Sequence, residues 1–420
     1  MNPFPLVFAM LRRDAGTSVA FVVLIALAVG LAAAITAQER ALRGGSARAA
    51  NKFDLIVAAP GSQTDLLLKV VYLQPGSVEL LEGEPLKRLM REDRAEFVAP
   101  IGFGDSFEGD PVVGTIAALV DHLSAGKVEG RNFDEIGEAV VGGASPLRIG
   151  DTFHPTHGVG EAAGAADHHA QTLTIVGRMP PTGSPWDRAI LVPIEFVWEV
   201  HGLGEGHGEP DEHAATAEAG ADAHDEDHDH GPIGPPFDLD AIPGIPAAVL
   251  KPASVAAAYG LRNTWRTTET TAFFPAEVLV ELYELLGDLR VVMSGLAIAT
   301  EVLLIAAILA GIVILMRLYR QRFAILRAIG ASRFYVFAVA WCFGFTLIAA
   351  GSALGLVVAA GLTGIVSTLF ENASGIALEA RIGWSEAGFA AMIAGVGALL
   401  STAPALLLYR QPVVAALRGT

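Results

Sequence analysis

The chain has 420 residues, 52% of them hydrophobic and 17% charged, with a formal net charge of −17 and a single cysteine. So apolar a composition excludes an ordinary soluble enzyme, and so acidic a balance excludes nucleic-acid phosphate as a partner. One cysteine excludes an intrachain disulfide framework.

In chain order, a short segment over 1–16 carrying Arg12 and Arg13 precedes the first long apolar run, Thr17–Ala37, "TSVAFVVLIALAVGLAAAITA". About 20 apolar residues at ~1.5 Å rise cross the ~30 Å hydrocarbon core of a bilayer. The run exceeds the ~7–15 residues of a signal-peptide core, so it is expected to persist as a membrane helix. The sequence after it, "ITAQERALRGG", is also a poor cleavage site.

Residues 38–288 have a different character. "KFDLIVAAP", "QTLTIVGRM", "RAILVP" and "PAAVLKP" combine β-branched residues with closing turn residues and read as strands. "EPLKRLMRED" and "PASVAAAYGLRN" read as surface helices, so the segment is expected to be a mixed α/β domain. Within it, 202–236 lacks any aromatic residue and is rich in Gly, Ala, Asp, Glu and His. Such a composition buries too little apolar surface to offset chain entropy, so a loosely ordered insertion is expected there. A smaller echo spans His154–Gln171. "AEVLVELYELLGDLRVV" then has helical spacing and is expected to form a stalk leading into the next span.

Three more apolar runs follow, Val291–Met316 (289–316 with the end of the stalk), 334–368 and 385–409. The third span is long enough to tilt, to extend beyond the bilayer, or to break near "TGIVS". The fold class expected is an α-helical membrane protein with four spans and a large extracytoplasmic mixed α/β domain between the first two. Arginines concentrate in 1–16, in the 317–333 loop and in the 410–420 tail, whereas the 369–384 loop holds only Arg381. The positive-inside rule therefore places those three segments in the cytoplasm and 38–288 outside. Cys342 falls in the third span and reads as an inert packing residue.

Three features invite chemistry. In the 317–333 loop, Arg320 and Arg327 are seven apart and share a helix face, while Phe323, Leu326 and Ile329 offer apolar area. Gly330 is placed to end that helix and Ser332 to cap the next. The same arginines also suit simple topology control and anionic headgroups of the lipid bilayer. Glu301 is the only acidic residue between Val291 and Met316; it is a functional candidate, with snorkelling or helix packing as the alternative. "GSALG", Gly351–Gly355, has small residues four apart, a weak signal for close helix packing.

The third feature is histidine. All 11 lie in 38–288, and His201, His207, His213, His224, His228 and His230 fall within 30 residues beside ten carboxylates, among them Asp225, Asp227 and Asp229. Imidazole and carboxylate suit Zn²⁺ or a similar ion. A loop rich in Gly and Ala does not pre-organise ligands, so modest, pH-dependent binding is expected, with an acidic solvated loop as the plain alternative. His154, His157, His168 and His169 form a second, weaker candidate cluster.

The layout of one span, a large outer domain and three spans resembles the FtsX-like or MacB-type permeases of ABC transporters, which include the lipoprotein-releasing permeases. "RQRFAILRAIGASR" looks like that family's cytoplasmic loop between its second and third spans. "FDLIVAAPGSQTDLLLKVVYLQPGS" and "VGRMPPTGSPWDRAILVPIEFVWEVHGL" resemble a branch with His-rich insertions, associated with zinc-responsive systems. The resemblance implies a permease homodimer in a bacterial inner membrane, bound on its cytoplasmic face by two copies of a separate ABC ATPase. ATP-driven closure is then passed through the spans to the periplasmic domain, which moves a periplasmic or outer-membrane partner or cargo without a central membrane pore. It also implies that Arg320, Arg322, Phe323, Leu326, Arg327, Ile329 and Gly330 form the ATPase-coupling surface. The chain departs from the pattern at Arg322, where the family often has Glu. No GxxxxGK[ST] phosphate loop is present, so ATP hydrolysis belongs to the partner, and no HExxH or GxSxG motif points to a hydrolase. Two further readings differ in class: a signalling scaffold that activates a periplasmic cell-wall hydrolase, and direct zinc conduction, disfavoured because the spans hold almost no ligands.

Overall fold

The computed structural model describes residues 2–157, 172–203, 233–285, scattered positions between 295 and 314, 319–374 and 380–410. The chain divides into two compact units, one of 1–43, 286–370 and 378–420, the other of 44–285 and 371–377.

The second unit is built on a mixed sheet. Its strands are β1 (Leu55–Ala58), β2 (Ala95–Phe107), β3 (Asp110–Thr115), β4 (Glu129–Gly130), β5 (Glu138–Val141), β6 (Thr152–Phe153), β7 (Thr156–His157), β8 (Leu173–Arg178), β9 (Ile190–Pro193), β10 (Ala247–Pro252) and β11 (Thr271–Phe273). The order is β11-β1-β10-β2-β3-β9-β5-β8-β4, with β6 on β8 and β7 on β2. The four strands expected from the sequence are β1, β8, β9 and β10; β1 and β9 are buried throughout, β10 over its first four residues and β8 at alternate positions.

The longest strand, β2, escapes a reading by pattern because Pro100, Gly102 and Gly104 look like breakers. It persists because its two halves have different partners. Residues up to Ile101 pair with β10 and those from Gly102 pair with β3, so Pro100 sits where the main path gives β2 one neighbour. The ladder to β3 slips between Phe103 and Asp105, a bulge at Gly104. Strands β3 and β9 run parallel, and each feeds directly into a helix: α5 (Ala117–Ser124) after β3, α6 (Ile194–Val200) after β9.

Helix α6 lies close over the sheet. Gly102 and Gly114 are register partners, and a Cβ on either would stand 2.5–2.6 Å from Val197 or Ile194. Ile194, Phe196, Val197 and Trp198 are all buried as a result, each worth roughly 1.5–3 kcal/mol of apolar transfer. The remaining helices of this unit are α3 (Gln63–Val70), α4 (Gly83–Met90), α7 (Val255–Trp265) and α8 (Pro275–Leu285). The two expected surface helices are α4 and α7, the latter capped by Ser254, whose hydroxyl accepts from the Ala257 amide. The stalk reading needs correction over its described part. Val278 and Leu279 of α8 are buried and Glu277 pairs with Arg262 at 2.9 Å, so α8 is docked within the unit. Beyond Leu285 the expected stalk lies outside the described residues.

The first unit contains α1 (Phe4–Arg13), α2 (Ala15–Ala50), α9 (its continuous described part 319–328), α10 (Arg333–Ser374) and α11 (Trp384–Arg410). Among the described residues three helical stretches are long and apolar enough to cross a membrane: Ala15–Ala50, Arg333–Glu371 and Trp384–Thr402. The expected second span falls largely outside the described residues, and Glu301 with it. Helix α10 runs unbroken through "TGIVS". There the Gln38 amide of α2 donates to the Thr363 carbonyl at 2.9 Å, and Thr368 bonds back to Gly364.

The weak small-residue signal at Gly351 and Gly355 proves to be a helix contact. A Cβ on Gly351 would lie 2.7 Å from Ile25, and one on Gly355 would lie 2.9 Å from Val29 and 3.2 Å from the Ala26 carbonyl. Gly30 of α2 faces Val358 in the same way. Ile25, Val29, Phe343, Leu347 and Ile348 form the centre of this unit's core. Near the start of α11, buried Glu386 takes Arg40 of α2 at 2.7 Å and the Gly383 amide at 2.8 Å.

Candidate functional site

The described part of the 317–333 loop, from Tyr319, is a helix and a tight turn. Helix α9 ends as its composition requires. The Ala331 amide donates to Leu326 and the Gly330 amide to Arg327, a Schellman closure in which Gly330 has φ +106°. A residue with a Cβ is strained there, so this glycine fixes the angle at which the chain enters α10. Ser332 caps α10 as expected, its hydroxyl accepting from the Tyr335 amide at 3.2 Å.

The helix presents two faces. Tyr319 and Phe323 are buried, and the Tyr319 ring meets Phe343 of α10 edge-on at 5.3 Å. Phe323 is therefore largely a core anchor, although it also lines the groove between α1 and α9. The exposed apolar positions are Ile325, 47% accessible, and Ile329, 80% accessible. Leu326, Arg320 and Arg327 are partly buried, and Arg322 is exposed. Beside this face, Leu6 and Met10 of α1 with Ile325 and Leu326 of α9 line an apolar groove of about 320 Å³. Phe4 and Phe8 add exposed aromatic area on α1.

Arg322, the departure from the family pattern, has a partner. Its guanidinium meets the Asp14 carboxylate at 2.5 Å, and Tyr319 donates to the same oxygen at 2.8 Å. Arg322 also lies over the Tyr319 ring, 5.0 Å from its centre. The Arg322 hydrogen bond first, and that of Tyr319 second, hold the Asp14 carboxyl below its ordinary value. Burial, with the neighbouring Asp14, pushes the Tyr319 phenol up to about 12. Asp14 sits between α1 and α2, so this trio ties the α1–α2 junction to α9. Sequence reasoning missed Asp14, Tyr319 and Ile325; the one available signal was a lone acid between two apolar helices, opposite in charge to an unexplained arginine.

Of the nine residues expected to bind metal, His201 alone is described; His207, His213, His224, Asp225, Asp227, His228, Asp229 and His230 lie outside the described residues. His201 ends α6, with Nδ1 2.8 Å from the Val197 carbonyl and Nε2 3.9 Å from buried Asp105. Those contacts are those of a helix-end side chain packed on β2. No group of three or more His, Cys, Asp or Glu suited to a metal occurs among the described residues. In the second cluster, His154 contacts the Thr172 hydroxyl at 2.9 Å, and His168 and His169 lie outside the described residues.

Long apolar helices joined to a sheet-based domain define a multi-pass membrane protein with an extramembrane mixed domain. Residues 292–413 match the family described as FtsX-like permease C-terminal, a family of ABC transporter permeases that are typically non-catalytic membrane subunits pairing with ABC ATPases. The match spans α9, α10 and α11 up to the chain's last described residues. No curated protein matches the chain.

Proposed function

We propose that this chain is the permease subunit of an ABC transporter that works by mechanotransmission. A separate ATPase docks on α9 and the neighbouring α1 groove in the cytoplasm of a bacterium, and its closure drives the periplasmic sheet domain. The observation that carries this reading is the exposed Ile325–Ile329 ridge, closed by Gly330, inside the segment that matches the permease family. Burial of such a ridge gives an ATPase an apolar anchor, and Arg320 and Arg327 border it with positive charge. The working assembly is a homodimer with two ATPases.

The test is co-purification of the full chain with each ABC ATPase of its genome, trapped with a hydrolysis-deficient ATPase variant and ATP. A stable complex with one ATPase, weakened about tenfold or more by Ile329→Asp, supports the reading. A folded chain that retains no ATPase, or one indifferent to Ile329→Asp, overturns it. The zinc link is a separate part of the proposal and rests on the composition of 204–232. Calorimetric Zn²⁺ titration of the full chain against a version lacking 204–232 decides it: equal binding by the two removes the link.

A further inference from the structure

Helix α1 carries a face that the coupling reading does not use. Val7 and Met10 are buried in the core of the membrane unit, and Leu6, Ala9 and Arg13 line the groove toward α9. Phe4, Phe8 and Arg12 recur every four residues and so share a different face. The two rings are 64% and 66% exposed, and Arg12 is exposed beside them. Large apolar rings uncovered side by side mark a contact surface.

Continuity and charge identify what covers it. Only Asp14 separates α1 from α2, a helix long and apolar enough to cross a membrane. The exposed apolar positions of α2 begin at Val19, in its second turn, and continue through Leu24, Leu27, Leu31 and Ile35. At ~1.5 Å rise per residue, Val19 stands roughly 6 Å along the axis from Ala15, so α1 is held where acyl chains meet headgroups. Arg12 and Arg13 are both exposed there. The only acid before Glu39 is Asp14, and its carboxylate is taken by Arg322 and Tyr319. The α1 surface is therefore apolar with a positive end, which complements an anionic headgroup layer. A second copy meeting it face to face would present the same arginines and be repelled.

We propose that the Phe4–Phe8–Arg12 face of α1 is a membrane-surface anchor that prefers anionic phospholipid. The rings of Phe4 and Phe8 lie among the upper acyl chains, while Arg12 and Arg13 reach back to the phosphates. Lipid then covers one side of α1 and leaves the groove side open, so the bilayer holds one wall of that groove in place. The proposal stands on the membrane character of the chain and is independent of whether an ATPase docks.

The experiment places a bimane fluorophore at Phe4→Cys or Phe8→Cys of the full chain, in a Cys342→Ser background. The protein is reconstituted in vesicles of phosphatidylcholine with an equal part of phosphatidylglycerol. A trace of one lipid or the other carries a nitroxide quencher near the top of an acyl chain. The expected result is quenching from both positions, with labelled phosphatidylglycerol favoured over labelled phosphatidylcholine about fivefold, the scale of one basic side chain at a charged surface. Arg12→Gln with Arg13→Gln is expected to remove that preference and leave quenching by phosphatidylcholine in place, and Arg12→Lys with Arg13→Lys to restore it. Absence of lipid quenching at both positions overturns the proposal, whether water, a second copy or another protein covers the face. Equal quenching by the two lipids overturns it as well. That comparison is made within one labelled protein, so it decides the matter even where the arginine variants fail to accumulate.

Discussion

In the membrane unit, Gly351 and Gly355 of α10 lie against Ile25 and Val29 of α2; in the sheet unit, Gly102 and Gly114 lie beneath Ile194 and Val197 of α6. Both places use the missing Cβ to bring elements into contact, but for different reasons. Lipid gives apolar helices no hydrophobic reason to associate, so close approach and many dispersion contacts must supply the attraction. Water drives α6 onto the sheet whatever its spacing, and the glycine pair sets only how deeply it sits. The same substitution therefore has a different consequence in each unit. In the membrane it removes the attraction itself, whereas in the sheet it tightens a packing that water still favours.

The largest effect is expected from Gly355→Leu. The nearest obstacles are the Val29 Cβ and the Ala26 carbonyl, neither of which swings away, so the helices must separate. Overpacking costs about 1–3 kcal/mol, and the upper end applies here. The check is the temperature at which the protein leaves its monodisperse peak in detergent, with Gly361→Leu, whose Cβ meets nothing within 4 Å, staying near the unaltered value.

Gly114→Val is expected to act less strongly, within the same ~1–3 kcal/mol range, because its three nearest atoms all belong to the Val197 and Ile194 side chains, whereas Gly355 also meets a backbone carbonyl. Thermal unfolding followed by tryptophan fluorescence reads this, since Trp186 and Trp198 are buried in that unit. A larger loss for Gly114→Val than for Gly355→Leu would reverse the comparison.

Electrostatic ties should move less. Asp14→Asn loosens the junction between α1 and α9, which a spin-label pair at Phe8→Cys and Ile325→Cys, in a Cys342→Ser background, reports as a broader distance distribution. The native carboxyl is held below its ordinary value, so the tie is complete above that value, near 4, and fades as pH falls through the lowered one. The unaltered chain should therefore broaden on acidification while Asp14→Asn stays flat, and exchanging the pair (Asp14→Arg with Arg322→Asp) should recover a narrow distribution at neutral pH.

The smallest effect belongs to Glu92, which Arg94 binds at 2.7 Å and Trp265 at 3.1 Å. Mainly through Arg94, its pKa is lowered from 4.5 to about 2, so its contribution is present at neutral pH and is lost as pH falls from about 4.5 toward 2. Screened by solvent, it is worth no more than ~1 kcal/mol, and Glu92→Gln should flatten the acid limb of a stability–pH curve by that much.

Long apolar runs, strand-like segments, helix caps and the Gly330 turn were legible because each depends on a few neighbouring residues. Hydrophobic length defines a span, Ser254 and Ser332 cap within three residues, and only glycine relaxes at φ +106°. The expected faces of α9 were less secure. Phe323 and Ile329 look alike in sequence, and which one is buried depends on where Phe343 lies.

By itself, then, the sequence determined the membrane character, the division into apolar helices and an extramembrane mixed domain, and the position of the turn before α10. Tertiary structure alone decided that Pro100 sits inside a strand, that Arg322 answers Asp14 across 308 positions, and that Phe323 is buried while Ile329 is exposed. The physical reason is range. Propensity, capping and hydropathy act over a few residues, whereas strand pairing, ion pairs and cavities depend on which distant segments the folded chain brings within a few ångströms.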